Sequence, residues 1–88
     1  MVNMDRQEIE NSVKQILSKE LGVPVENISG EKKLVEDLGL DSFSSVELVF
    51  ELEDRTGLSI PDNDVINFVT VNDIIQYVHS RMTEAPKA

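Results

Sequence analysis

The stretch DLGLDSFSSVELVFELED, residues 37–54, carries the clearest helical pattern in the chain. From residue 41 onward it contains neither glycine nor proline, and its apolar residues recur at helical spacing. Asp41 suits an N-cap, because its carboxylate can accept a hydrogen bond from a free N–H group of the first turn. Gly57 suits a C-terminal stop. The pattern therefore predicts a helix from about Ser42 to Arg55.

This helix has two distinct faces when its residues are placed at about 100° per residue. We expect a core face made of four apolar residues, which are Val46, Leu48, Val49 and Leu52. A second edge, here called the acidic–aromatic edge, combines three carboxylates with two large rings. Its members are Phe43, Glu47, Phe50, Glu51 and Asp54.

Two further helices have amphipathic patterns. The first runs over about residues 5–21, with Asp5 as its N-cap and Gly22 as its stop. Its apolar residues are Ile9, Val13, Ile16, Leu17 and Leu21. Thr70 to Asp73 resembles a capping box and opens the other helix. One face of that helix holds Val71, Ile74, Ile75, Val78 and Met82.

The remaining segments predict connections. We expect a long loop between the first two helices, anchored by Val25, Ile28, Leu34, Leu38 and Leu40 and with room for a short helical turn. A turn at Pro61 leads into a short helix over about residues 62–67. The fold class predicted is all-α: a four-helix bundle of three longer helices and one short helix. We expect one domain over residues 1–88, ordered over about 5–82 and flexible over 83–88.

Charge and hydropathy exclude several classes of partner. The formal net charge is −9, and Arg55 is the only basic residue between Leu34 and Ser80. Nucleic acid and anionic membranes need clustered Lys and Arg, so neither is expected as a partner, whereas a basic protein surface is. No apolar run reaches the roughly 18 residues that span a membrane, and the N-terminus lacks a signal-peptide pattern. The expected location is the cytoplasm.

The sequence offers no catalytic or metal site. It has no cysteine, and His79 alone cannot build a zinc centre. The acidic run from Asp62 to Asp73 departs from a calcium loop, because Ile66 and Asn67 stand where a ligand and a glycine are needed. Ser42 lacks a G-x-S-x-G motif and a neighbouring base, which argues against a hydrolase.

Ser42 nevertheless stands at a position that can hold an anion. As a plain structural residue it would be a helix-start serine beside an N-cap. The positive end of the helix dipole also favours a negatively charged group attached there, such as a phosphodiester. The residues alone leave both interpretations open.

Residues 36–49, EDLGLDSFSSVELV, resemble the modification site of acyl carrier proteins. The family pattern is roughly D-S-L, a short polar pair and then V-E. It is matched here by Asp41, Ser42, Val46 and Glu47. The upstream L-x-x-D-L-G at 34–39 also matches. So do the I-P-D at 60–62 and the T-V-x-D at 70–73, so that the resemblance covers about residues 5–82.

The resemblance implies a monomeric carrier without catalytic activity of its own. A phosphopantetheinyl transferase, reading a motif that includes Asp41, would attach 4′-phosphopantetheine from coenzyme A to Ser42. Acyl groups would be bound to the thiol of this arm as thioesters, in fatty acid or related polyketide and lipid biosynthesis. The cofactor would thus supply the sulfur that the chain lacks.

The resemblance also implies two surfaces. Glu47, Glu51 and Asp54, with Phe43 and Phe50 as apolar contacts, would dock basic patches on acyl-transferring and chain-elongating enzymes. The acyl chain can tuck between helices in this family. Six residues could wall such a pocket or could equally be plain core: Val46, Leu52, Ile60, Val65, Ile66 and Phe68.

Four residues depart from the family pattern at or beside the docking edge. Phe43 replaces the usual leucine, Ser44 replaces a frequent acid, Phe50 is bulkier than expected, and Arg55 interrupts the acidic run. These changes favour a specialised carrier over a housekeeping one. The alternatives are a peptidyl or aminoacyl carrier, and an unmodified acidic helical interaction module that leaves Ser42 bare.

The net charge of −9 predicts that salt stabilises the fold, because screening weakens the repulsion between carboxylates. We expect the melting temperature, followed by circular dichroism, to rise from low ionic strength to about 0.15 M salt. Magnesium should have the same effect. A melting temperature that does not change with either salt would contradict the prediction.

Overall fold

The computed structural model describes residues 4–84, with the surroundings of side chains up to residue 82. Its helices are α1 (Arg6–Leu21), α2 (Ser42–Thr56), α3 (Asp62–Val65) and α4 (Val71–Glu84). A short 3-10 turn, Val25–Asn27, lies in the loop between α1 and α2. The predicted all-α architecture is confirmed. Among the described residues, extended pairing is limited to one isolated bridge between Lys33 and Thr70.

The predicted caps of α1 and α4 are present. The Asp5 carboxylate accepts the Glu8 N–H at 2.9 Å, and the Glu8 carboxylate accepts the Asp5 N–H at 3.0 Å. Gly22 ends α1 in the left-handed region at φ 70°, where glycine carries no steric cost. At the start of α4, Thr70 Oγ1 accepts the Asp73 N–H at 3.2 Å, and the Asp73 carboxylate accepts the Thr70 N–H at 2.9 Å. Local hydrogen bonds therefore fix the start of α4 and both ends of α1.

The core forms where α1 packs against both α2 and α4. The predicted inward faces of α1 and α4 are buried, through Ile9, Val13, Ile16 and Leu17 on α1 and Val71, Ile74, Ile75 and Val78 on α4. The last predicted member of each face, Leu21 on α1 and Met82 on α4, is only partly buried against the core. Leu48 and Leu52 complete this core from α2. Each such side chain contributes roughly 1.5–3 kcal/mol by leaving water. A chain without cysteine depends on this burial for its stability.

The predicted core face of α2 is wrong in one member. Val46 is 66% exposed, whereas Leu48 and Leu52 are each 1% exposed and Val49 is half-buried. At 100° per residue, Val46 lies about 160° around the helix from Leu48, so the two cannot share a face. The buried stripe of α2 runs instead through Leu48, Leu52 and Thr56.

The long loop is ordered because its apolar residues enter the core. Ile28, Leu34 and Leu40 are buried, as predicted, and Leu38 packs against the same cluster. Val25 was expected to be a fifth anchor, and this prediction is wrong. It is 43% exposed, because it begins the 3-10 turn and the chain enters the core only beyond that turn, at Ile28.

Backbone contacts tie this loop to the start of α4. The Leu34 N–H donates to the Val69 carbonyl at 2.8 Å, and the Val71 N–H donates to the Lys32 carbonyl at 3.0 Å. The loop also approaches α4 closely at Gly30, where an added Cβ would collide with the Asn72 side chain. The loop thus holds the entry to α2 in a fixed place.

The segment around α3 is shorter than predicted and is attached to α4. It is helical over Asp62–Val65, and residues 66 and 67 continue as a turn. The Tyr77 hydroxyl donates to the Asp64 carboxylate at 2.6 Å, and the Phe68 ring packs edge-on against the Tyr77 ring at 5.2 Å. Burial and the Asp64 carboxylate raise the pKa of Tyr77. α3 is therefore positioned by side chains of α4.

The C-terminal end of α4 lies two residues beyond its expected limit, at Glu84. A flexible tail was predicted over residues 83–88. The first two of these residues are helical, and residues 85–88 lie outside the described part of the chain.

The cap at Asp73 predicts a pH-dependent contribution to stability. Hydrogen bonds from the Thr70 and Val69 N–H groups hold the pKa of Asp73 below its usual range. The contribution is therefore fully present above the ordinary pKa of an aspartate and is lost as the pH falls through the lowered value. We expect Asp73→Ala to cost about 1 kcal/mol of unfolding free energy at pH 7, and less in acid.

Urea unfolding across a pH series checks this expectation. Glu31→Ala is the control, because Glu31 is an exposed carboxylate without a hydrogen bond to any residue between 4 and 84. A destabilisation by Asp73→Ala that stays constant down to strongly acidic pH would show that the ionised carboxylate is not the stabilising group.

Candidate functional site

Ser42 is the first residue of α2 and is exposed. The residue before it, Asp41, is extended at φ −112° and ψ −179°, and its carboxylate accepts the Ser44 N–H at 2.8 Å. The Asp41 carbonyl accepts the Ser45 N–H at 2.9 Å. The N-cap predicted for α2 is therefore present, and it holds Ser42 at a sharply defined helix start.

The electrostatics of this helix start suit an attached anion. Hydrogen bonds from the Ser44 backbone N–H, and next from the Ser44 hydroxyl, lower the pKa of Asp41. The carboxylate is thus ionised at neutral pH and is engaged with Ser44. The N–H groups of Ser42 and Phe43 have no acceptor within the helix, because they belong to its first turn. These groups and the helix dipole favour negative charge at the Ser42 hydroxyl.

Ser42 has room for a large substituent but no means of activating itself. No side chain between residues 4 and 82 accepts a hydrogen bond from its hydroxyl, so a general base is missing. Because the side chain is exposed, a phosphodiester on it would extend into solvent without disturbing the core. The residues present therefore fit an ester-linked phosphopantetheine arm that another protein attaches.

The outer edge of α2 presents aromatic rings to solvent. Phe43 is 72% exposed and Phe50 is 71% exposed, with the exposed Val46 between them at i+3 and i−4. Asp54 is exposed and Glu47 is half-buried. Neither of these two carboxylates forms an ion pair within the described part of the chain. The edge therefore carries both apolar area and free negative charge.

Glu51 differs from the other two carboxylates. Lys19 Nζ of α1 lies 2.8 Å from its Oε2, and Arg55 Nε lies 3.9 Å from its Oε1. Arg55 Nη1 also donates to Gln15 Oε1 at 3.3 Å. The hydrogen bond from Lys19 lowers the pKa of Glu51, and the same contact raises the pKa of Lys19. Glu51 therefore links α2 to α1.

The six residues considered for an acyl pocket lie in different surroundings. Leu52 and Ile60 are buried in the core, Phe68 is half-buried against Tyr77, and Ile66 is 78% exposed. Val46 and Val65 line one cleft of about 170 Å³ between α2 and α3. The structure thus brings two of the six together at a cavity.

Four residues of this cleft were missed by the sequence analysis: Ser45, Val49, Phe50 and Asp62. A signal for two of them was present, because residues 42, 45, 46 and 49 follow i, i+3, i+4, i+7 spacing. They share the face of α2 that begins at Ser42. The cleft therefore starts one helical turn beyond Ser42.

Within residues 4–84, no group of three or more His, Cys, Asp or Glu side chains is arranged to hold a metal ion. Each helix in this range is too short or too polar to span a bilayer.

Comparison with known proteins agrees with this geometry. The family model described as a phosphopantetheine attachment site matches residues 11–78. The chain is also similar to the acyl carrier protein of Thermotoga maritima, with 39% identity over 77 residues that cover 88% of this chain and 95% of the relative. The chain therefore belongs to the acyl carrier protein family, whose members carry a covalently attached 4′-phosphopantetheine and have no catalytic activity of their own.

Proposed function

We propose that Ser42 is the attachment site of 4′-phosphopantetheine. We also propose that the protein, as a single carrier domain, carries acyl thioesters in fatty acid or related polyketide and lipid biosynthesis in the cytoplasm. The observation that supports the site most strongly is the exposed hydroxyl at the first residue of α2, beside the ionised N-cap Asp41. Residues 36–49 carry the matching motif.

The attachment step is a phosphoryl transfer catalysed by a phosphopantetheinyl transferase. The Ser42 Oγ forms a bond to the phosphorus that bears the pantetheine chain of coenzyme A. The bond from that phosphorus to the adenosine bisphosphate breaks, and the serine proton leaves. The transferase must supply the base, because Ser42 has none among residues 4–82. Asp41 fixes the helix start and presents its carboxylate to the transferase.

The partner enzymes dock on the acidic–aromatic edge in this proposal. Phe43 and Phe50 supply apolar contact area, while Glu47, Glu51 and Asp54 attract basic patches. Such contacts suit a carrier that must bind and leave several enzymes quickly, because long-range attraction speeds association without a large interface. The protein acts as a monomer.

The acyl chain enters the protein between α2 and α3 in this proposal. The cleft lined by Val46 and Val65 is the entrance, since it opens one turn from Ser42. Leu52 and Ile60 form the buried wall behind it, and Ile66 and Phe68 flank it on the α3 side. With a volume of about 170 Å³, the cleft must widen to admit a long chain.

The departures from the family pattern support a specialised carrier. The edge proposed for docking includes Phe43 and Phe50 and has Arg55 beside it, and Ser44 lies in the first turn of α2. Substitutions at such positions change partner choice more than they change the fold, because Phe43 and Phe50 are outside the core.

Incubation with coenzyme A and a broad-specificity phosphopantetheinyl transferase should add one phosphopantetheine unit to the intact mass. Ser42→Ala should abolish the gain, whereas Ser45→Ala, a matched serine one turn further along α2, should keep it. A gain that persists in Ser42→Ala would move the site elsewhere. No gain with a transferase proven active on another carrier would contradict the proposal.

Phe43→Ala should weaken docking without weakening the fold. Because the ring is 72% exposed, we expect the unfolding free energy to change by less than about 0.5 kcal/mol. If Phe43 is an apolar anchor, kcat/KM of the transferase reaction should fall by more than roughly fivefold, which corresponds to about 1 kcal/mol of lost binding energy. Val35→Ala is the control, because Val35 is 65% exposed in the loop. If both variants have the same kcat/KM, Phe43 is not part of the docking surface.

A further inference from the structure

The last turns of α2 differ in charge from its start. Three carboxylates, Glu51, Glu53 and Asp54, lie close together there in sequence, and two cations, Lys19 and Arg55, lie against Glu51. These five side chains together carry one net negative charge, although they include the most acidic stretch of the helix. Near Ser42, by contrast, Asp41 and Glu47 have no cation paired with them among residues 4–84.

The two cations are held at the same carboxylate. Both reach the Glu51 carboxylate, and Arg55 also donates to Gln15 on α1. The Lys19 side chain is nevertheless 62% exposed, so its ammonium group faces any surface that approaches this end of the helix. The Glu53 carboxylate is turned inward and accepts the Ile60 N–H at 2.8 Å. Asp54 is the one exposed carboxylate of this group.

An aromatic ring lies beside this group of three carboxylates and two cations. Phe50 is 71% exposed and, with Glu51, Glu53 and Asp54, lines an open groove of about 490 Å³. The apolar line from Phe43 through Val46 to Phe50 thus continues into a region where attraction for cations is weak. A partner protein would therefore contact this end of the helix mainly through the apolar ring of Phe50 and less through charge.

We propose that Lys19 and Arg55 determine which partners this carrier accepts, by confining charge contacts to the start of α2. The partner that fits has a basic group opposite Glu47 and an uncharged hollow that receives Phe50. An enzyme whose basic patch extends over the last turns of α2 is disfavoured. The inference rests on the docking proposed above and narrows it. Phe43, Phe50 and Glu47 remain contacts, whereas Glu51, which is paired with both cations, and the neighbouring Asp54 no longer attract a basic patch.

The physical basis is repulsion between like charges across an interface. A long basic patch would meet the exposed ammonium of Lys19 and the guanidinium of Arg55 at the position of Glu51. Such contacts slow diffusional encounter and suppress wrong partners, and the slowing depends on ionic strength. Discrimination through a repulsive element is a general way to build specificity.

The test uses an acyltransferase of housekeeping fatty acid synthesis that docks through a basic patch. The rate at which this enzyme loads an acyl group onto the holo-protein is compared between the unaltered protein and two variants. The test variant is Lys19→Gln/Arg55→Gln, which leaves Glu51 unpaired by either cation. The control is Lys14→Gln/Lys33→Gln, which removes the same total charge from ion pairs with Glu10 and Glu36, away from the edge. Both are first converted to the holo form, and their melting temperatures are compared.

We expect the test variant to be loaded with a kcat/KM about tenfold higher than that of the unaltered protein at low salt. The gain should vanish at high salt, and the control should change by no more than about twofold. An unchanged test variant, or an equal gain in the control, would overturn the proposal. Failure to form the holo-protein at all would instead count against the function proposed for Ser42.

Discussion

The burial of Leu48 and Leu52 against α1 sets the rotation of α2, and most of the functional surface depends on that rotation. With these two side chains in the core, the line through Phe43, Val46 and Phe50 must face solvent. The N-cap at Asp41 then fixes where the helix begins, so that Ser42 projects from its first turn. One packing contact and one hydrogen bond thus place the serine, the rings and the carboxylates on a common exposed side.

A carrier needs such a division of labour between two faces of one helix. The inner face holds a small bundle together without disulfides, while the outer face is the surface that we propose for docking of partner enzymes. α3 completes the arrangement, because Tyr77 and Phe68 attach it to α4 beside the cleft that opens near Ser42. Widening this cleft would require movement of α3 relative to α2, at the cost of those contacts.

The sequence predicted the features that local chemistry determines. The caps at Asp5, Asp41 and Thr70 involve residues within four positions of each other, so their motifs could be recognised directly. Val46 was misplaced because apolarity was given more weight than its angle on the helix. The pairing of Glu51 with Lys19 joins residues 32 positions apart, and only the packing of α1 against α2 brings them together. The contact of Asp64 in α3 with Tyr77 in α4 likewise joins residues 13 positions apart.

In the proposed function, the start of α2 holds the cofactor while the bundle itself stays unchanged. Amide chemical shifts of the apo and holo proteins, measured by NMR, can test this. Loading should shift the amides of residues 41–46 most strongly. The core amides of α1 and α4, such as those of Val13 and Ile74, should remain where they are. Large shifts centred on another segment would show that the cofactor is attached elsewhere, and shifts spread evenly over the three long helices would show that loading rearranges the bundle.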